Sequence, residues 1–376
     1  MKFYTVENNK KSILKTFAIY YICMAVFVGI RISTLLIELP SEIWVDVVYS
    51  IIVQAGIIFI LPLLLYCLFL KVTPKQVFKT CNFNKMNFNT ILISIGLGFI
   101  CFGINIVVSS LSSGLIGFTG YRSSSSGIVY DYNVLNFFLD IFSVAILPAF
   151  CEEFLHRGIV LQGTKHMGFK KAIVISSLLF GLLHFSIQKV FYAFVIGLVL
   201  GLVSVVAKNI WVGIIIHFVN NAFSVYLDYA RANNLLFGNM LDGLSEWLMT
   251  TPFIWVFICC SLFVIALISL LILFIWLLYK QAMLGKVKRA LDKAYNSSDI
   301  NKNTNVLINK DSVFNDLLEQ NTLLNLTYRK MDNPIDIVLP KEKSRYKTTF
   351  KDNIFMIGAV VLGAVITIFT YIWGLL

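Results

Sequence analysis

The stretch CEEFLHRG at residues 151–158 puts two carboxylates, an imidazole and a guanidinium into eight positions of an otherwise strongly apolar chain. In a helix, residues four apart share a face, which sets Glu153 beneath Arg157 and Glu152 beneath His156. Glu153 can then be neutralised as an ion pair with Arg157, while Glu152 must look for partners on other elements. Ionisable groups inside an apolar span are costly and normally face a protein interior or a wet cavity, so Glu152 is a candidate for chemistry by default.

Two further polar sites reach similar depth. In SSLLFGLLHF, His184 follows Phe180 by four residues, and in NIWVGIIIHFVNN, Asn221 follows His217 by four. At ~1.5 Å per helical residue, Glu152 lies about 20 Å before Lys165, His184 about 21 Å past Lys170 and His217 about 14 Å past Lys208. Three separate runs thus offer polar groups at roughly one level. A carboxylate to take a proton from water, imidazoles to hold that water or a metal, and donors to meet an oxyanion suit amide hydrolysis, with no need for a nucleophilic serine. Glu152, His184 and His217 could equally make an open, three-ligand zinc site. Cys151 precedes the acidic pair, but the seven cysteines show no C-x-x-C spacing and read as small core hydrophobes.

The elements that must position these groups are membrane spans. The chain has 376 residues, of which 58% are hydrophobic and 14% charged. Runs long enough to cross a ~30 Å hydrocarbon layer fall near 14–36, 46–70, 90–111, 133–164, 170–187, 189–207, 211–229, 253–279 and 354–376. The expected fold is an all-α, polytopic transmembrane helical bundle of about nine spans.

Lys2, Lys10, Lys11 and Lys15 place the N-terminal tail in the cytoplasm, and the connections then alternate in charge. Glu38, Glu42 and Asp46 lie outside, Lys71 to Lys85 inside, and Arg122 with Ser123 to Ser126 outside. Lys165, Lys170 and Lys171 return inside, Ser186 to Lys189 lie outside, Lys208 inside, 228–252 outside and Lys280 to Arg289 inside. That sequence of sides leaves Leu376 outside. The formal charge of +11 is spread over inner connections and follows from this topology, so no nucleic-acid partner is implied.

The chain divides into N-terminal spans (1–132), a helical core bearing the chemistry (133–230), an outer loop and eighth span (231–279), a cytoplasmic polar segment (280–353) and a C-terminal span (354–376). Pro148 marks a point where the fourth span can kink and open a water-lined cavity toward Glu152. Gly197 and Gly201 form a small-xxx-small pattern that allows close helix approach. The stretch VFNDLLEQNTLLNL at 313–326 reads as a short amphipathic helix. Asp140 carries no assignment.

Taken together, E-E-x-x-x-R at Glu152, Glu153 and Arg157, F-x-x-x-H at Phe180 and His184, and H-x-x-x-N at His217 and Asn221 resemble the CPBP family of intramembrane proteases. That family includes the type II CAAX prenyl endopeptidases and the bacterial Abi proteins of bacteriocin processing and self-immunity. The resemblance covers roughly 133–225. It implies a membrane-embedded endopeptidase of a bacterial plasma membrane, with Glu152 as the water-activating base supported by Glu153 and Arg157. His184 would be a ligand or orienting group, and His217 and Asn221 the oxyanion side. The implied substrate is a peptide or protein at the membrane, among membrane lipids. A divalent metal such as zinc and a metal-free glutamate mechanism are both compatible with the family. The family usually has an aromatic where His156 stands, which casts His156 either as a packing substitute or as an extra polar partner of Glu152. Two other classes fit the same residues: a proton- or ion-coupled transporter, and a non-catalytic immunity or scaffold protein.

Overall fold

A computed structural model describes residues 6–37, 40, 42–121, 132–297, 348–373 and 375. The expectations placed on Lys2, Glu38, Arg122 to Ser126, 313–326 and Leu376 lie outside the described residues. The chain folds as helices α1 (Val6–Leu36), α2 (Ile43–Leu70), α3 (Pro74–Thr80), α4 (Phe88–Gly117), α5 (Val134–Met167), α6 (Phe169–Leu182), α7 (Ile187–Ala207), α8 (Ile210–Ala232), α9 (Leu236–Thr250), α10 (Phe253–Ser297) and α11 (Phe350–Trp373). Of these, α1, α2, α4, α5, α7, α8, α10 and α11 are long and apolar enough to cross a membrane, eight spans rather than the nine expected. The protein is an all-α, multi-pass membrane bundle.

The lost span is the run at 170–187. It folds as α6, whose 14 residues reach only about 21 Å at ~1.5 Å each, short of a ~30 Å hydrocarbon layer. The chain then turns through Phe185, held at φ 47°, and starts α7 at Ile187. Hydropathy registers the apolar length of such a run and is blind to where the backbone turns. Non-helical backbone at membrane depth is tolerated only where protein buries it or water reaches it. A second expectation also shifts. The apolar run of the eighth span ends at 279, but α10 continues to Ser297, so the start of the 280–353 segment is helical.

Proline gives α5 its shape. A π-helical turn at Ile141–Ile146 runs directly into Pro148, and another spans Phe154–Val160. Pro148 has no N–H for the carbonyls of the preceding turn, and those of Ser143 and Val144 are capped from other helices. Ser50 Oγ donates to Ser143 O at 2.8 Å, and Asn221 Nδ2 donates to Val144 O at 3.0 Å. The kink therefore docks both α2 and α8 against α5. It lies one turn from Glu152.

Two apolar clusters hold this helix and a third packs behind its neighbour α8. Tyr20, Met24, Val53, Ile57, Leu155, Val160 and Leu179 join α1, α2, α5 and α6 on one side. Ile19, Tyr66, Val77, Cys81, Phe154 and Ile210 close another, with Cys81 seated against Gly158. Leu97, Leu200, Val212 and Leu267 join α4, α7, α8 and α10 behind α8. The helices α6 and α7 form an antiparallel hairpin in which Gly197 and Gly201 pack onto Ser177 and Ile173, as the small-xxx-small pattern anticipates. By contrast α10 is almost wholly uncovered, with Trp255, Phe257, Leu262 and Ile272 exposed, as expected of a span that lipid surrounds.

The basic connections gather at one end. Lys15 Nζ donates to Phe69 O at 2.6 Å, Asn84 Nδ2 donates to Lys208 O at 2.8 Å, and Lys165 lies close enough to Lys208 to feel its charge. At the opposite end Tyr132 donates to Asp140 at 2.7 Å, which gives Asp140 a partner.

Candidate active site

Glu153 and Arg157 are buried completely and form the expected ion pair, Nη1 to Oε1 at 2.7 Å. Two unneutralised charges at this depth would be prohibitive; paired, they become a rigid support. Arg157 also donates from Nη2 to Gly197 O at 3.1 Å and lies over the Phe180 ring, 4.6 Å from its centroid. Gly213 lets α8 approach Glu153 closely, since a Cβ there would stand 2.7 Å from Oε2. From one turn further along α8, His217 Nδ1 donates to Glu153 Oε1 at 3.1 Å.

Phe180 is the hub of the arrangement. Its ring meets those of His156, His184 and His217 edge to face, at centroid separations of 5.1, 5.2 and 5.7 Å. The F-x-x-x-H spacing thus builds a platform on which three imidazoles and one guanidinium rest.

Glu152 points away from this pair, as the helical geometry anticipated. It is 8% exposed, and its Oε1 accepts from Gln54 Nε2 of α2 at 2.8 Å. Its Oε2 has no hydrogen-bond partner among the described residues. Glu152 lines a cavity of about 410 Å³ together with Phe180, His184, Tyr192, His217 and Asn221. All three sequence motifs therefore converge on one space.

Partners fix the tautomers. His184 Nδ1 contacts Phe180 O at 3.0 Å, and because a carbonyl only accepts, Nδ1 carries the proton. His217 Nδ1 likewise faces a carboxylate. In their neutral forms both histidines keep an unprotonated Nε2, a lone pair suited to receive a proton or a water O–H. Amide donors come instead from Asn220 and Asn221: Asn220 Nδ2 donates to Asn221 Oδ1 at 2.8 Å, and Asn221 spends one N–H on Val144 O. Each amide retains a second N–H.

Residues 134–223 match the family described as type II CAAX prenyl endopeptidase Rce1-like. Over this segment the chain is similar to that family. Searches of curated proteins and of solved structures found no match. The Rce1-like segment holds Glu152, Glu153, Arg157, Phe180, His184, His217 and Asn221, and begins at the first residue of α5. The family is one of membrane endopeptidases.

Glu152, His184 and His217, which could make a three-ligand zinc site, line one cavity without being drawn together as a ligand set. Among the described residues, no three His, Cys, Asp or Glu side chains are gathered closely enough to hold a metal ion. His156 does not join the Glu152 carboxylate either. Its Nδ1 donates to the Glu152 main-chain oxygen at 2.8 Å, and its ring packs between Tyr20 and Phe180, so it stands in for an aromatic.

Three participants escaped the sequence reading. Gln54 is the lone polar side chain of IIVQAGIIFI, and a single amide in such a run is a recognisable signal of interhelical bonding. Tyr20 donates to Leu179 O at 2.7 Å and stands 3.4 Å from His156 Nε2. Asn220, beside the motif asparagine, is buried and lines the cavity.

Proposed function

We propose that this protein is a membrane-embedded endopeptidase that hydrolyses a peptide bond with a water molecule activated by Glu152. The observation that carries the reading is Glu152 Oε2, which has no hydrogen-bond partner among the described residues, buried at a polar cavity that His184 and His217 share, beside a Glu153 already neutralised by Arg157. Of the two adjacent acids, one is committed to structure and the other is left for chemistry.

In this reading Glu152 Oε2 takes a proton as the water oxygen attacks the scissile carbonyl carbon. His184, and His217 held by Glu153, orient the water through their Nε2 lone pairs. The free N–H groups of Asn220 and Asn221 meet the oxyanion, so the asparagines rather than neutral His217 serve that side. Collapse of the intermediate breaks the C–N bond, and the proton on Glu152 passes to the departing amine. The substrate is a peptide or protein segment at the membrane. The basic end of the bundle faces the cytoplasm, which puts the N-terminus there, and the membrane is a bacterial plasma membrane.

The test is cleavage of a quenched fluorescent peptide library by the purified full chain in liposomes, for wild type and Glu152→Gln, with and without a zinc chelator. Cleavage lost in Glu152→Gln and kept with chelator is the expected result. Loss with chelator as well would return a metal to the site. A folded wild type that cleaves nothing, or ion flux that responds to Glu152→Gln without cleavage, would overturn the endopeptidase reading.

A further inference from the structure

The charge pair, the histidines and the asparagines all lie in the matched segment, yet the side chain that bonds the Glu152 carboxylate among the described residues does not. Gln54 belongs to α2, 98 residues away in sequence. We propose that Gln54 is the positioning residue of Glu152, so that the working site extends to a span outside the matched segment. The inference rests on the endopeptidase reading above.

The packing around Gln54 is built to place it. Gln54 lies in the π-helical stretch Ile51–Ile60, which packs against Leu147–Glu153 of α5, the turns that carry Glu152. One turn before Gln54, Ser50 Oγ caps the Ser143 carbonyl that Pro148 leaves without a donor, which locks the register of α2 against α5. One turn after it, Ile57 and Ile58 are buried in the cluster that contains Cys151, immediately before the acidic pair, and Leu155, two residues after it. Between these two anchors the Gln54 amide has a fixed height.

The hydrogen bonds then sort the carboxylate oxygens. Gln54 Nε2 occupies Glu152 Oε1, which leaves Oε2 as the free basic atom. Gln54 Oε1 is itself buried without a partner among the described residues. Gln54 therefore holds Glu152 in one rotamer at the cavity that Glu152 lines. An amide suits the task because it adds no charge beside the base.

The test compares kcat and KM on the best-cleaved library peptide for full-length wild type, Gln54→Met, Gln54→Glu, Glu152→Asp and the double variant Gln54→Met/Glu152→Asp. Methionine keeps the length and packing of glutamine and removes the donor. Positioning predicts that Gln54→Met lowers kcat by about 10- to 100-fold, with KM within about threefold, because misplacing a catalytic group acts on the chemical step. Gln54→Glu, which sets a second carboxylate against the first, should lose at least as much. Glu152→Asp already withdraws the carboxylate from Gln54, so the double variant should be no slower than Glu152→Asp alone. Wild-type kcat in Gln54→Met, or losses that multiply in the double variant, would overturn the proposal. Should Gln54→Met not fold, Gln54→Asn, one methylene too short to reach, is judged by the same criteria. Full activity in Glu152→Gln would instead remove Glu152 as the base, and no cleavage by folded wild type would remove the endopeptidase reading; both are distinguishable from failure of Gln54 alone.

Discussion

At the scale of residues, the division of labour between Glu152 and Glu153 makes sharply different predictions for neighbouring positions. Arg157→Met strands a completely buried Glu153 and should destabilise by about 3–5 kcal/mol, read as a lower thermal midpoint in detergent. Replacing both partners, as in Glu153→Leu/Arg157→Met, should restore much of that stability while leaving peptidase activity lost, because His217 then has no carboxylate to orient it. Gly213→Ala tests the same support without touching a charge. Its new methyl would stand 2.7 Å from Glu153 Oε2, so turnover should fall at least tenfold, by ~1.4 kcal/mol of barrier per decade, in a protein that still elutes as a folded species. These contacts were legible in part. The Glu153–Arg157 pair and the turning away of Glu152 follow from local helical geometry. The protonated Nδ1 of His184 and His217 could not be read, because tautomers depend on which carbonyl or carboxylate each ring meets.

At the scale of elements, Pro148 does more than bend α5. Two carbonyls lose their helical donor, and Ser50 and Asn221 become the replacements, so the break in one helix fixes the places of two others. Pro148→Ala returns an N–H to the turn and lets α5 compete for those carbonyls. The expected outcome is a larger loss in kcat than in thermal stability, checked by comparing turnover with the unfolding midpoint of the same preparation. The sequence signalled a kink at Pro148 but not its clients, which lie on α2 and α8. Gln54 escaped for the same reason: a lone amide in an apolar run announces a partner without saying which span carries it. The short α6 was missed because run length and mean hydropathy count residues and ignore the turn at Phe185.

At the scale of the whole molecule, the apolar clusters that wrap α5 leave the peripheral α10 to lipid, and the cysteines report that contrast. Cys23, Cys81, Cys101 and Cys151 are buried, whereas Cys259 and Cys260 on α10 are exposed. Burial pushes the Cys81 thiol up to about 12, so it remains a thiol rather than a thiolate between pH 7 and about 9. In detergent, a small uncharged maleimide that enters the micelle should modify Cys259 and Cys260 before the four buried cysteines, which should react only after denaturation, as mass spectrometry of timed samples would read.

The half-length α6 has an effect beyond the protein itself. A bilayer meeting a helix about 9 Å too short must thin or admit solvent at that point, and a turn carrying Ser186 with Lys189 just beyond it decides in favour of solvent. Water admitted there would reach the cavity that His184 and Lys189 line. A peptide bond approaching from that side sheds less of its hydration than it would at an undisturbed midplane, so the fold lowers the water surface toward the bond instead of dragging the bond through oil.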